Sequence, residues 1–266
     1  MKMKPFNRDL ELYAKRTSRS RWFSTQKITR MPAASTAKNA LMVAISMGMG
    51  IGITLATQHW NRQTNQLTNQ SPIKQNPSLV SPLLLTGEPW IGRKDAPLTI
   101  VEFSDFECSY CQRFHQTVLP KLKREYIESG LVRFVHKDLP LPFHSQAKPA
   151  AAAARCAGKQ NRYWQMYHAL FDQQACFQCK GAKGIALEQE LNTAELERCM
   201  SRPTTLALIN ANVSEAQLHG IRATPTFVIG RTQADNTHSG TIIEGALPWP
   251  QFKTMVDQHL TALRGT

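Results

Sequence analysis

Two cysteines separated by two residues, Cys108-Ser109-Tyr110-Cys111, follow an apolar stretch and open a periodic one. A cysteine at the first turn of a helix meets unpaired backbone N–H groups and the positive end of the helix dipole, and both favour its thiolate. The thiolate is the attacking species in thiol–disulfide exchange, and a low pKa also makes it a good leaving group. This spacing therefore offers disulfide exchange, with Cys108 as the nucleophile. Cys111, one turn further in and more buried, is the resolving thiol. An inert bridge across so short a loop would constrain little of the unfolded chain. A zinc site would need a second pair close by, yet Cys176-Phe177-Gln178-Cys179 begins 65 residues after Cys111.

Two further features belong with the pair. Glu102 lies six residues before Cys108 on the incoming strand, where alternation makes it a candidate inward carboxyl beneath the sulfurs. A buried carboxyl has a raised pKa and can pass a proton to or from Cys111; the alternative is a solvated strand residue. Thr224-Pro225 opens a strand, where a proline can adopt the cis geometry and leave the backbone of Thr224 free to pair with a substrate strand. Asp105 and Glu107 flank Cys108, and a carboxylate beside the sulfur would oppose the dipole, so only the downward direction of its pKa is expected.

The elements that hold these residues follow from periodicity. Residues 98–103 (LTIVEF) read as a short buried strand, 111–128 as a helix and 132–136 as a second strand. Residues 145–171 and 187–218 read as helical, 225–229 and 241–244 as two paired strands, and 250–263 as a closing helix. The order, β-α-β, a helical block and β-β-α, gives an α/β fold: a mixed sheet with an all-helical insertion. Trp164, Tyr167 and Phe171 fall at helical spacing and read as core of that insertion. His136, His144 and His168 lack metal-ligand spacing and read as surface or partner-satisfied histidines.

The net charge of +13 on 266 residues invites a nucleic-acid partner, but its distribution argues against one. Residues 1–38 hold ten Lys or Arg against Asp9 and Glu11, so most of the excess sits in a short tail. No recognition helix or basic-aromatic module accompanies it. Residues 39–58 carry no charge and are long enough for a helix to cross a bilayer. The basic flank keeps the N-terminus in the cytoplasm and puts the rest outside. A single-pass anchor in a bacterial inner membrane, or a signal segment, is the expectation, with the catalytic domain in the periplasm. Ala44, Gly48, Gly52 and Ala56 share one face of this helix, a candidate homodimer contact. Residues 59–86, rich in Asn, Gln, Ser, Thr and Pro, read as a flexible linker, and the folded region is expected from 87 to 266.

The set VEFSDFECSYCQRFH, AAAARCAGKQNRYWQMYHALF, GIRATPTFVIG and EGALPWPQFKTMV resembles the DsbA-like thiol–disulfide oxidoreductases of the thioredoxin superfamily. The resemblance runs over roughly residues 88–263. It implies a thioredoxin fold with a helical insertion at about 140–218. It also implies Cys108 as nucleophile, Cys111 as resolver, Glu102 as buried acid and Pro225 as a cis-proline after Thr224. Relatives of this kind carry a structural disulfide across the inserted helices, which implies a Cys156–Cys199 bridge. Cys176 and Cys179 are then a candidate second disulfide, with a local bridge, a second redox relay and a metal clip all open. No cofactor and no metal are implied for the main site. The implied partners are folding secreted proteins with free thiols and a membrane redox partner. The Ser109-Tyr110 dipeptide differs from the Pro-His of the most oxidising members, and Thr224 also suits isomerase-type members. Oxidation of substrates is the leading expectation. An isomerase or reductase kept reduced through the membrane is one alternative; a non-catalytic chaperone or metal-binding module is another.

Overall fold

The computed structural model describes residues 79–264. The basic tail, the apolar run at 39–58 and most of the expected linker lie outside the described residues. Among the described residues no helix is long and apolar enough to cross a membrane.

Six strands form one sheet: β1 (Leu83–Leu84), β2 (Trp90–Ile91), β3 (Leu98–Ser104), β4 (Val132–Asp138), β5 (Thr226–Thr232) and β6 (Thr237–Glu244). Their order is β1-β6-β5-β3-β4-β2. Only β3 and β4 run parallel; the other pairs are antiparallel. Every residue of β3 is buried, which a central strand covered on both faces requires. Its side chains alternate between two cores. Leu98 and Ile100 join Phe134, Phe227 and the larger helical core, while Val101 and Phe103 join Val135, Val228 and Ile242 on the other face. Glu102, in phase with Ile100, therefore points into the larger core. On neighbouring strands it is level with His136 and Phe227.

Helix α1 (Ser109–Thr117) starts at the cysteine pair, and α2 (Leu119–Leu122) runs into a π-turn at Lys123–Ile127. The single helix expected over 111–128 is thus broken at Val118, because Pro120 has no N–H and its ring crowds the preceding turn. Between β4 and β5 lie α3 (Ala147–Lys159), α4 (Tyr163–Asp172), α5 (Phe177–Glu188), α6 (Thr193–Met200) and α7 (Pro203–Leu218). The run expected over 145–171 is two helices, turned at Asn161 in the left-handed region (φ 59°). Buried alanines 150–154 let α3 approach α4, α5, α6 and α7 closely. The last of these differs in role from the other four. α7 packs on β4, and its Ala216 joins the second core, so the expected insertion at 140–218 divides into a cap (α3–α6) and a helix that covers the sheet. Helix α8 (Trp249–Arg264) closes the first core, with Phe252 against Phe114 and Phe227.

The fold also begins ahead of the expected boundary at residue 87. Leu83 and Leu85 are buried in the second core while Leu84 is exposed, and β1 pairs with β6. This two-residue alternation is hidden in a segment whose composition is otherwise that of a tether. Glu88 then accepts from Lys137 (3.2 Å), Arg155 (2.8 Å) and Asn212 (2.6 Å) in the interior, tying β4, α3 and α7 together. Arg155 also pairs with Asp138. Removing Arg155 would take from Asp138 its one Lys or Arg partner among the described residues and from Glu88 one of two, leaving buried carboxylates under-paired.

Candidate active site

Strand β3 delivers Glu102 to the floor of the site, and the turn after it delivers Cys108 to the start of α1. The Cys108 N–H donates to the Asp105 carbonyl (3.1 Å), and the Cys108 carbonyl accepts from Gln112 (3.0 Å). Cys108 is thus the cap residue, in extended geometry (φ −77°, ψ 122°). Its Sγ occupies the place where a capping oxygen would accept from the first-turn amides. The Cys108 thiol is pulled down to about 5, chiefly by hydrogen bonding from the Cys111 thiol, with the backbone N–H groups of Cys111 and Tyr110 adding to it against the cost of burial. Cys111 is fully buried, and burial pushes its thiol up, reinforced by the proton it shares with Cys108 and by the nearby Glu102. The two sulfurs of one motif are therefore driven apart: one is held as thiolate, the other as thiol.

Glu102 is completely buried, and desolvation raises its carboxyl to about 8 even though the Tyr167 hydroxyl hydrogen-bonds it. Tyr167 OH donates to Glu102 Oε2 (3.2 Å), whereas Oε1 has no hydrogen-bond partner. A carboxyl of this kind holds a proton at neutral pH and can give it up to Cys111. Behind it, His136 Nδ1 and Tyr163 OH share a hydrogen bond (2.8 Å), and burial lowers the histidine pKa to about 3, so the imidazole is neutral.

The peptide bond between Thr224 and Pro225 is cis. Cys108 Sγ lies 3.4 Å from the Thr224 carbonyl oxygen. The sulfur is narrowly accessible, with Cys108 6% exposed, while Tyr110 between the cysteines is 54% exposed. The structure thus brings Cys108, Cys111, Glu102, Thr224 and Pro225 into one site.

The neighbouring carboxylates turn away from the sulfur. Asp105 accepts from Glu107 N, Leu141 N (both 2.7 Å) and His144 Nδ1 (2.8 Å), and Glu107 accepts from Gln146 N (2.7 Å). They stake the cysteine loop to the segment after β4. Sequence reasoning missed two residues of the site. Tyr167 holds Glu102, and Gln174 Nε2 donates to the carbonyls of Phe106 (2.7 Å) and Cys108 (3.1 Å). Tyr167 had the right spacing for core, and nothing local marks the oxygen it meets 65 residues away.

The other cysteines lie apart. Cys156 and Cys199 are disulfide-bonded between α3 and α6. Cys176 and Cys179 are both thiols, the first at the cap of α5 and the second exposed. Among the described residues no cluster of three or more His, Cys, Asp or Glu is arranged to hold a metal ion.

Residues 85–248 match the family model described as Thioredoxin. Disulfide bond formation protein D of Bacillus subtilis is 23% identical over 185 residues, which are 66% of this chain and 78% of that protein. Na(+)/H(+) antiporter NhaA 1 of Salinispora arenicola is 30% identical over 139 residues, 52% of this chain, and the chain spans only 21% of that relative's length. The crystal structure of oxidised BdbD from Bacillus subtilis superposes with a TM-score of 0.58 at 22% identity, covering 70% of this chain and all of that one. That likeness is one of fold.

Proposed function

We propose that this chain, which belongs to the thioredoxin family and within it to the DsbA-like thiol–disulfide oxidoreductases, introduces disulfides into folding proteins outside the cytoplasm. The observation that carries the direction is the placement of the two sulfurs: Cys108 stands at the start of α1, where the helix dipole favours its thiolate, and Cys111 is fully buried, where a thiol is favoured. A stabilised Cys108 thiolate makes the reduced enzyme the favoured partner in exchange, so electrons flow from substrate to enzyme.

The reaction begins with the Cys108–Cys111 disulfide. A substrate thiolate attacks Cys108 Sγ and forms a mixed disulfide, and Cys111 leaves. Because its thiol is pushed up, Cys111 leaves with a proton, and Glu102, protonated at neutral pH, is the group placed to supply it. A second substrate thiolate attacks the substrate sulfur of the mixed disulfide, and Cys108 departs as a stable thiolate. The substrate has lost two electrons and the enzyme pair has gained them. In reverse, Cys111 attacks the mixed disulfide, which is its role as resolver. Thr224, whose backbone lies against Cys108 ahead of Pro225, aligns the substrate strand at the sulfur.

The uncharged run at 39–58 with its basic flank supports an extracytoplasmic, membrane-tethered placement. A membrane redox partner would re-oxidise the pair, and the small-residue face of the run would serve a homodimer. The test is oxidation of a reduced dithiol peptide by stoichiometric oxidised protein, with the in-cell redox state of Cys108–Cys111 trapped by acid. Fast peptide oxidation and a mostly oxidised pair support the reading. A mostly reduced pair in cells would transfer it to the isomerase or reductase class, and no exchange at all to a non-catalytic module.

A further inference from the structure

The mechanism leaves one pair of nucleophilic groups unused. Cys176 ends the short turn Gln174–Cys176 and caps α5, and Cys179 follows one turn later. The helical stretch containing them breaks at once at Gly181, whose backbone is left-handed and extended (φ 61°, ψ 179°). The pair therefore sits in a single turn bounded by irregular backbone, which can rearrange without unravelling the rest of α5. Cys176 is part-buried and Cys179 is exposed. The two thiols hydrogen-bond each other, and this contact holds the proton on Cys176.

We propose that Cys176 and Cys179 form a second redox-active site, a surface dithiol that exchanges with small-molecule disulfides independently of Cys108. The exposed Cys179, as thiolate, attacks one sulfur of a disulfide such as oxidised glutathione. The sulfur–sulfur bond of that disulfide breaks, and one glutathione leaves and takes up a proton. Cys176 then gives up its proton, attacks Cys179 Sγ and expels the second glutathione. The cysteine pair has lost two electrons and two protons, and the small molecule has gained both as two thiols.

A purely structural bridge is the weaker account, because a loop this short removes little entropy from the unfolded chain. A metal clip lacks ligands, since no third His, Cys, Asp or Glu completes a cluster among the described residues. The place is also suggestive of use. Gln174, which opens the same turn, donates to the carbonyls of Phe106 and Cys108, so the second pair is anchored to the loop that carries the first.

The test uses the full chain carrying Cys108→Ser and Cys111→Ser, equilibrated in glutathione buffers of graded ratio and mapped by mass spectrometry. The expected result is a Cys176–Cys179 disulfide that forms and reopens within the buffer range. With Cys176→Ser added, glutathione should stay trapped on Cys179 and be released at least about tenfold more slowly, because the intramolecular resolving thiol is gone. No bond in oxidised glutathione, a bond that resists reduction until Cys156–Cys199 opens, or stoichiometric bound zinc would each overturn the proposal. The first pair is absent from this variant, so the result does not depend on the reading of the main site.

Discussion

The chain carries two Cys-x-x-Cys pairs, and in each the first cysteine caps a helix. Around Cys108 the chain has built an environment: a buried acid on the incoming strand, the Thr224 backbone against the sulfur, and a continuous nine-residue helix that starts at it. Around Cys176 it has not. There the helix breaks after one turn and the second cysteine is exposed. The sulfurs respond in opposite ways, since the Cys108 thiol is lowered and the Cys176 thiol is raised. Spacing alone therefore does not make a reactive first cysteine. The difference lies in which neighbour gives up its proton, and that depends on burial of the second cysteine. Cys111 is sealed and keeps its proton, so Cys108 can lose its own.

The largest expected effect separates the two pairs by chemistry. Cys108→Ser should cut oxidation of a reduced dithiol peptide by at least about a thousandfold, as loss of a nucleophile does. Residual rapid turnover carried by Cys179 would erase the distinction between the pairs.

Stability comes next. Cys156→Ala with Cys199→Ala opens a bridge spanning 43 residues, and the loop-entropy relation assigns it about 4 kcal/mol. The same relation gives a closed Cys176–Cys179 bond less than about 2 kcal/mol. Denaturant unfolding of the two double variants under oxidising conditions checks this ordering, and equal losses would make the surface pair a structural bridge.

Glu102→Gln should slow peptide oxidation by about ten- to a hundredfold, by removing the proton donor to Cys111. It should also raise stability in a pH-dependent way. In the unfolded chain the carboxyl ionises near its ordinary value of 4.5, whereas in the fold it stays protonated up to about 8. The folded state thus binds the extra proton, and stability is lost as pH rises from about 4.5 to 8. The glutamine variant escapes that loss, so its advantage should open across this window to a few kcal/mol, on the order that such a shift carries. A constant difference across pH would place the carboxyl in solvent.

The smallest effect concerns the hinge. Gly181→Ala puts a side chain at φ 61° and ψ 179°, a conformation essentially reserved for glycine, and should cost about 1–3 kcal/mol. It should also slow closure of the surface pair and leave the cap core intact, read by unfolding and by the rate of Cys176–Cys179 bond formation.

Much of the site could be read from the sequence because its chemistry is local. Cys108 and Cys111 share one turn, Glu102 lies on the strand that feeds it, and Thr224-Pro225 announces itself by proline at a strand start. What could not be read depends on contacts between distant segments. Tyr167 carries a core pattern and Gln174 has no pattern at all, yet both hold the site. The fold shows the same division. Long periodic strands such as β3 and β4 stand out, whereas the two-residue strands β1 and β2 exist only through partners far along the chain. The break at Val118 was signalled by Pro120, but the apolar periodicity that continues past it masked the signal.

The most direct test of the central claim is a pH titration of thiolate absorbance in the reduced protein, with the Cys108→Ser variant subtracted. A midpoint near 5 is the result this structure calls for. A midpoint at the ordinary thiol value of about 8.5 would contradict it, because Cys108 would then be no better a leaving group than any free cysteine.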